Sequence, residues 1–481
     1  MTGKVAEAVS ELEHVLPQDR FVTPASSAEK YNELNGSYLS GFQSNLSPVC
    51  ILLPQTSEEV VTFVKTIQPF VGHVEFAVRA AGQQPLPGCA NVSGGITIDL
   101  RNLRGLDLQD DMVRIAAGER WGDVYKFLEP HGLGVTGGKS TTCGIGGLAT
   151  QGGLSFFASR EGLICDNVIN FKVVLASGEI VNANRNHNKD LFVALRGGGN
   201  NFGIITRFDV RVFKQDPFYG GMVWYTKPSF PGQISAMVEE LQSDKPDPDT
   251  HFMLSVAFAG VFGSDVICLN QLYYTRQVAD PDVLRPFTHV QPQQDAMNTM
   301  KIQTLLQAAT EQAGAGMSKV RCLYMNVNVQ ADSATLTEGS DIWCEELEPI
   351  KDAAGLMCSY TLQAYPVTLL EKTMSEGGNS MGLDPKTGPV VNILLLTYWT
   401  DKKDDERVTA FMQRALQRIK QQAAEKGKLI PWVYWNYAFS DQDALASYDE
   451  ENVQKLRLAS KKYDPNGMFQ KACPGGFKLF Q

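Results

Sequence analysis

The sequence predicts an α+β chain: a glycine-rich domain interrupted by a second domain with an antiparallel sheet backed by helices. Three observations carry this. An early strand–helix–strand pattern is followed by three separate glycine-rich loops. From about residue 215 the texture changes to long strand-like runs, with one strongly amphipathic helix. The last forty residues then return to Gly/Pro punctuation.

The elements follow in order. Residues 49–53, VCILL, form a short apolar run, and Thr56 with Glu59 gives a capping-box pattern before EEVVTFVKTI, whose apolar residues recur at helical spacing. VEFAVRA (74–80) reads as a second strand, so the two strands are expected to be parallel neighbours. The loop VRAAGQQPLPGCAN (78–91) lies past that strand's C-terminal end, where open α/β sheets bind ligands. GGITIDLRNL gives a strand and a turn, and GERWGDVYKFLEPHGL a helix ending near Gly132. Residues 137–153 hold seven glycines, a density that argues against a regular element but lets bare backbone approach a flat ligand. NVINFKVVLASGEIVNA reads as a hairpin turning at Ser-Gly, and LRGGGNNFGIITRFDVRVF sets the third loop before a strand. HFMLSVAFAG, DVICLNQLYYT, RCLYMNVNVQ and NILLLTYWT read as strands of the antiparallel sheet. Residues 404–426 form a helix whose stripe is Val408, Phe411, Met412, Ala415, Leu416, Ile419 and Ala423, stopped by Gly427. LIPWVYWNYAF reads as a further strand. The expected division is 1–214, 215–438, and a segment 439–481 returning to the first domain.

Totals narrow the function classes. A net charge of −10 and no Lys/Arg-rich run argue against nucleic acid and anionic membrane as partners. No segment approaches the ~20 apolar residues of a membrane span. The N-terminal MTGKVAEAVSELEHVL is amphipathic rather than a continuous apolar stretch, which predicts a cytoplasmic chain, with the sequons at Asn35, Asn45 and Asn91 as chance matches. Nine cysteines without a C-x-x-C pair do not make a disulfide framework, and six scattered histidines give no metal site. GIGGLA (144–149), with Asp166 beyond it, satisfies a dinucleotide pattern, but GGKSTTC before it is not an apolar strand.

Taken together, the ordered motifs resemble the berberine-bridge-enzyme-like flavoproteins, with the FAD-binding domain shared by vanillyl-alcohol oxidase and p-cresol methylhydroxylase (PCMH), and in particular the fungal members associated with secondary metabolism. The resemblance spans nearly the whole chain: SGFQSNLSPVCILLPQTSEEV, VRAAGQQPLPGCAN, GGITIDL, GGKSTTCGIGGLATQGGLS, GLICDNV, GGGNNFGIIT, NYAFSDQDALASY and KKYDPNGMFQ. It implies a two-subdomain FAD-binding domain and an FAD-dependent oxidoreductase. The first loop (Arg79, Ala80, Ala81, Gly82, Gln83, Gln84, Gly88) is then expected to hold the pyrophosphate. The second (Ser140, Thr141, Thr142, Cys143, Gly144, Gly146, Gly147) would pass over the flavin. Asn167, Gly203 and Ile205 would edge the adenine, and Asn436 and Tyr437 would face the isoalloxazine.

Two departures stand out. Gln83 occupies the place of the family's flavin-tethering histidine and Ser140 that of its tethering cysteine. Neither is a competent nucleophile for such a bond, so FAD is expected to be non-covalent. Cys143 falls at the family's oxygen-gating position, which permits O2 as electron acceptor. Tyr437, then Tyr434, are the candidate proton-transfer groups, whereas Tyr324 and Tyr398 read as core residues of the sheet. The expected activity is oxidation of a small organic metabolite by hydride transfer to FAD. The alternatives are a non-redox cyclase on the same fold and a binding protein without turnover.

Overall fold

Buried polar residues on a short central strand explain the arrangement of the first sheet. The computed structural model describes residues 3–314, 320–375 and 377–480. Strands β1 (Phe21–Val22), β2 (Cys50–Leu52), β3 (Phe76–Arg79) and β4 (Ile96–Asp99) run in the order β1-β2-β4-β3, with β4 parallel to both β2 and β3. The expected strand–helix–strand unit is present, but its strands are not neighbours, because β4 lies between them. All four β4 residues are buried, and the two polar ones are satisfied in place. Thr97 donates to Asn91, and Asp99 pairs with Arg101 at 2.8 Å. A strand with no face left for water takes the middle of a sheet. The connecting helix Ser57–Ile67 is capped by Thr56, which accepts from Glu59 N. The Glu59 carboxylate meets Arg20 and Gln55 N instead of closing the box.

The second sheet holds β5 (Leu106–Leu108), β6 (Met112–Ala116), β7 (Leu133–Val135), β8 (Val168–Val174), β9 (Ile180–Asn184) and β10 (Ile204–Lys214). The order is β5-β6-β10-β8-β9, with β7 on the far end of β10, and every pairing is antiparallel. The hairpin expected at Ser-Gly is β8–β9, with Gly178 at φ +79°.

The third sheet comprises β11 (Phe218–Thr226), β12 (Thr250–Ala259), β13 (Ile267–Tyr274), β14 (Lys301–Gln303), β15 (Arg321–Gln330), β16 (Met357–Tyr365), β17 (Val390–Trp399) and β18 (Leu429–Ile430). It is antiparallel throughout, in the order β14-β11-β13-β12-β16-β17-β15-β18. Sequence reading misses β11, diluted by Gly220 and Gly221, and β16, whose alternate positions are Ser359, Thr361 and Gln363. One face carries Leu254, Val256, Leu272, Tyr360, Leu362, Ile393, Leu395, Leu323 and Met325. It packs with helices Phe230–Leu241, Ser333–Leu347 and Asp405–Glu425 into one apolar core. Every stripe residue expected on the last helix is buried there. Among the described residues no helix is long and apolar enough to cross a membrane.

The expected strand LIPWVYWNYAF is mostly not one. Pairing ends at Ile430, and a short 3-10 turn occupies Trp435–Tyr437. The reason is a buried asparagine cluster on β15 and β17. Asn326 accepts from Tyr434 N and donates to Tyr434 O (3.0 and 3.1 Å), and Asn328 donates to Trp432 O (2.8 Å). Asn392 donates to both Asn326 and Asn328 at 3.0 Å. Side chains thus satisfy backbone groups that a neighbouring strand would otherwise pair. The C-terminal tail closes the molecule: Phe76 N donates to Ala472 O at 2.6 Å, and Asn200 and Asn201 donate to Gly475 O and Phe477 O.

Asn326→Leu takes the side-chain acceptor from the buried Tyr434 N and one of the two donors from Tyr434 O, which keeps Tyr437 N, so it is expected to cost about 1–3 kcal/mol, read as a lower urea midpoint at unchanged slope.

Candidate functional site

A single cavity of about 940 Å³ runs between the glycine loops and the uncovered face of the third sheet. The first loop leaves β3 at Arg79, but that residue does not line the cavity. Its guanidinium is 1% exposed, lies 3.6 Å from the Tyr38 ring centroid, donates to Leu34 O and Ser37 O at 2.8 Å, and sits 3.4 Å from Asp99. Burial lowers its pKa, with Asp99 opposing. Arg79 is a prop beneath the loop. Gly82, at φ +69°, rests on it so closely that a β-carbon would come 2.8 Å from both Arg79 Nε and Tyr38. Ala80, Ala81, Gly82, Gln83 and Gln84 form the cavity wall.

The second loop contains a regular element despite its glycines, the helix Ile145–Thr150. Its glycines serve approach rather than disorder: a β-carbon on Gly144 would meet Ala81 Cβ at 2.7 Å, and one on Gly146 would meet Ala80 Cβ at 2.8 Å. The segment is pinned to helix Trp121–Leu128 through Trp121 N to Cys143 O (2.9 Å), Gly122 N to Thr141 O (3.1 Å) and Arg120 Nη1 to Thr142 O (2.5 Å). Ser140, Thr142, Cys143, Gly144, Gly146 and Gly147 line the cavity, as do Gly203, Ile205, Tyr434, Asn436 and Tyr437. Asn436 is oriented by its bond to Gln151 O at 2.9 Å.

Three further expected residues lie off the wall. Thr141 packs on Gly122, and Gly88 is covered by Gly475 of the tail. Asn167 donates to Glu161 O and Leu163 O (2.8 and 2.9 Å) and accepts from Arg211 (2.6 Å), which fixes its loop rather than facing the cavity.

The opposite wall is one face of the third sheet, read with period two: Met253, Ser255 and Ala257 on β12, Ser359, Thr361 and Gln363 on β16, Leu394, Leu396 and Tyr398 on β17, and Tyr324 on β15. Tyr324 and Tyr398 are therefore wall residues and not core, with hydroxyls 2.7 Å apart. Sequence reading also passes over Lys139, which sits in the quoted GGKSTTC but belongs to no pattern, and Gln363, whose facing follows only from register.

Lys139 and Arg120, both on the loop side, are the only charged side chains lining the cavity among the described residues, and no carboxylate lines it there. Lys139 Nζ lies 3.0 Å from Gln363 Oε1, 2.9 Å from Met253 Sδ and 3.4 Å from His251 Nε2. Tyr437 donates to the same Gln363 Oε1 at 3.3 Å. Enclosure by protein brings the Lys139 pKa down to about 7, and burial followed by the Lys139 charge drives His251 well below its usual range. Burial pushes Tyr437 up to about 12, keeps Tyr434 far above a phenol's usual value, raises Cys143, and lifts Cys89 to about 12. Both thiols are thus held protonated. A glycine-walled concavity with positive charge and no acid suits an anionic, flat ligand. The carboxamide oxygen of Gln151 on the same wall has no protein partner among the described residues and is placed to accept from one.

The groups facing Lys139 (His251, Cys143, Tyr437) carry no negative charge at neutral pH, so folding buries its cation uncompensated. Lys139→Met is therefore expected to raise Tm below pH 7, where both folded and unfolded lysine are charged. The gain should fade as pH rises from about 7 through the ordinary lysine range, because the wild-type folded state is already neutral there. Melting curves across pH check this.

Residues 48–184 match the FAD binding domain family. Over 449 residues the chain is 34% identical to an FAD-dependent monooxygenase of Cochliobolus heterostrophus, covering 91% of this chain and 86% of that one. Its fold is that of 6-hydroxy-D-nicotine oxidase from Arthrobacter nicotinovorans (TM-score 0.76, 17% identity, 93% and 96% of the two chains). The same holds for BBE-like 1 of Physcomitrella patens (TM-score 0.77, 16% identity, 96% and 97%). The glycine-walled cavity and these relationships agree: the chain belongs to the FAD-dependent oxidoreductases that include the fungal FAD-dependent monooxygenases, with FAD as its cofactor and small organic molecules as its substrates.

Proposed function

We propose that this chain holds FAD without a covalent bond, in the cavity between the glycine loops and the third sheet, and uses O2 as the terminal electron acceptor. The observation that carries the first part is chemical. The two positions where the family tethers its flavin hold Gln83 and Ser140, both on the cavity wall, and the neighbouring thiols Cys89 and Cys143, half-buried on the same cavity, have raised pKa values that keep them protonated. The backbone of 80–84 and 144–147 would cradle the pyrophosphate and flavin, since glycine turns present N–H groups to anions. Bound there, FAD supplies a two-electron acceptor. Cys143, a small side chain at the family's oxygen-gating position, lines the cavity, and the relatives' names, monooxygenase and oxidase, both describe oxygen chemistry.

The chain's own part is to orient substrate and move a proton. Tyr437 is aimed by Gln363 and packed edge-on against Tyr434 (4.9 Å between centroids) and Tyr324 (6.1 Å). With its pKa raised it is a hydrogen-bond donor that stays protonated through neutral pH. Nine unpaired cysteines suit a reducing compartment, which supports a cytoplasmic location.

Acid precipitation of the yellow protein is expected to release its colour to the supernatant, and colour retained in the pellet would overturn the tether account. Tyr437→Phe is expected to lower kcat by roughly 10²-fold with FAD content unchanged, read by stopped-flow bleaching under anaerobic conditions.

A further inference from the structure

The cavity opens at one flank of the third sheet, away from the second loop. That loop meets the sheet at the closed end, where Lys139 touches Met253 on β12 and Gln363 on β16, both buried. Toward the outer ends of these strands the lining becomes half-buried, at Ala257 and Ala259 on β12 and at Ser359 and Met357 on β16. The mouth therefore lies beside residues 260–266, which join β12 to β13.

This mouth is built from aromatic side chains that the protein leaves uncovered. Val261 and Phe262, 81% and 61% exposed, are the two most exposed large apolar side chains among the described residues, and they are adjacent. Their tip is held in place: Gly260 N donates to Leu356 O at 3.2 Å, and Gly263, at φ +112°, turns the chain back toward β13. Phe262 lines the cavity and meets Trp224 edge-on, with ring centroids 6.2 Å apart and planes at 70°. Trp224 is the cavity-side residue of β11, since its neighbours Val223 and Tyr225 belong to the apolar core on the other face. Register sets it opposite Leu269 of β13, which in turn faces Ser255 of β12. Three strand spacings, about 14 Å, separate Trp224 from β16 and so from the end where the second loop sits.

The chemistry of the two ends differs as well. Ile267, Leu269 and Met357 give the mouth an apolar floor, while the two cations of the cavity, Arg120 and Lys139, stand on the loop side. A charged group would be desolvated at the mouth without a counterion. Uncovered apolar surface at the rim of a ligand cavity suits an apolar part of the ligand. The Trp224–Phe262 pair presents one ring face beside one ring edge, an arrangement that favours a third ring over an alkyl chain.

We propose that Trp224 and Phe262 form a second subsite, which takes an uncharged, multi-ring portion of the substrate remote from the reacting atoms. The proposal rests on the reading of the cavity as a site for small organic molecules and adds a class to it. No bond changes at this subsite. Its work is to select flat, multi-ring molecules over saturated ones of the same size and to fix their orientation.

The test uses the FAD-loaded protein, titration calorimetry and a matched pair of probes, 2-naphthylmethanol and its saturated counterpart decahydro-2-naphthylmethanol. The naphthyl compound is expected to bind more tightly by on the order of five- to ten-fold. Phe262→Leu and Trp224→Leu keep apolar area and remove a ring, so each should erase most of that difference by weakening the naphthyl compound alone. Phe262→Tyr should preserve it. Equal affinities in the wild type, no binding of the naphthyl compound, or an undiminished preference in Phe262→Leu would each overturn the proposal. Phe262 is exposed, so its variants decide even if Trp224→Leu fails to fold. The comparison depends neither on turnover nor on how the flavin is held: a ring preference in protein whose colour stays in the acid pellet would overturn the tether account and support this one.

Discussion

Close approach of two backbones governs this site. Residues 80–82 and 144–146 meet with so little space that a β-carbon on Gly144 or Gly146 would fall inside van der Waals contact with Ala81 or Ala80. Small residues on both sides are therefore a steric requirement, and they bring two runs of peptide groups to a single cavity wall. Arg79 holds the arrangement from behind. Its guanidinium, sandwiched by the Tyr38 ring and Asp99 and bonded to carbonyls of the 34–37 turn, fills the space under Gly82. A buried ion pair of this kind contributes position more than stability, since desolvation offsets much of its attraction. The arginine that begins the loop acts on the cavity wall through the backbone it supports.

The third sheet works by having two different faces. The face of Leu254, Leu362 and Leu395 is apolar and packs on helices, so it sets the plane of the sheet. The face of Ser255, Thr361 and Gln363 is mixed, and it becomes the wall opposite the loops. Between the two walls the 430–437 segment is hung from asparagine side chains instead of a strand ladder, which frees Tyr434, Asn436 and Tyr437 to turn toward the cavity. The close approach of the two loops depends on backbone and on small residues, not on the side chains of Gln83 and Ser140.

Much of the fold was legible. Helical periodicity located 405–425 and 57–67, and runs of apolar residues located β12, β13, β15 and β17. Sequence patterns failed where a polar side chain did the work of backbone pairing, as in LIPWVYWNYAF, or where a strand's exposed-looking face turned out to line a cavity, as in β16. They also placed β2 beside β3, since nothing local says that a later strand will insert between them.

The sequence by itself determined the glycine loops and the identities of the residues at 83 and 140. Glycine spacing is a backbone property written residue by residue, and the identities at 83 and 140 need no coordinates to be read. Only the tertiary structure decided the chemistry of the opposite wall. Lys139, His251, Gln363 and Tyr437 are far apart in the chain, and no local pattern marks them. Their meaning, an enclosed cation without an acid and a tyrosine aimed at the same carboxamide, arises from register and burial, which are properties of the assembled core.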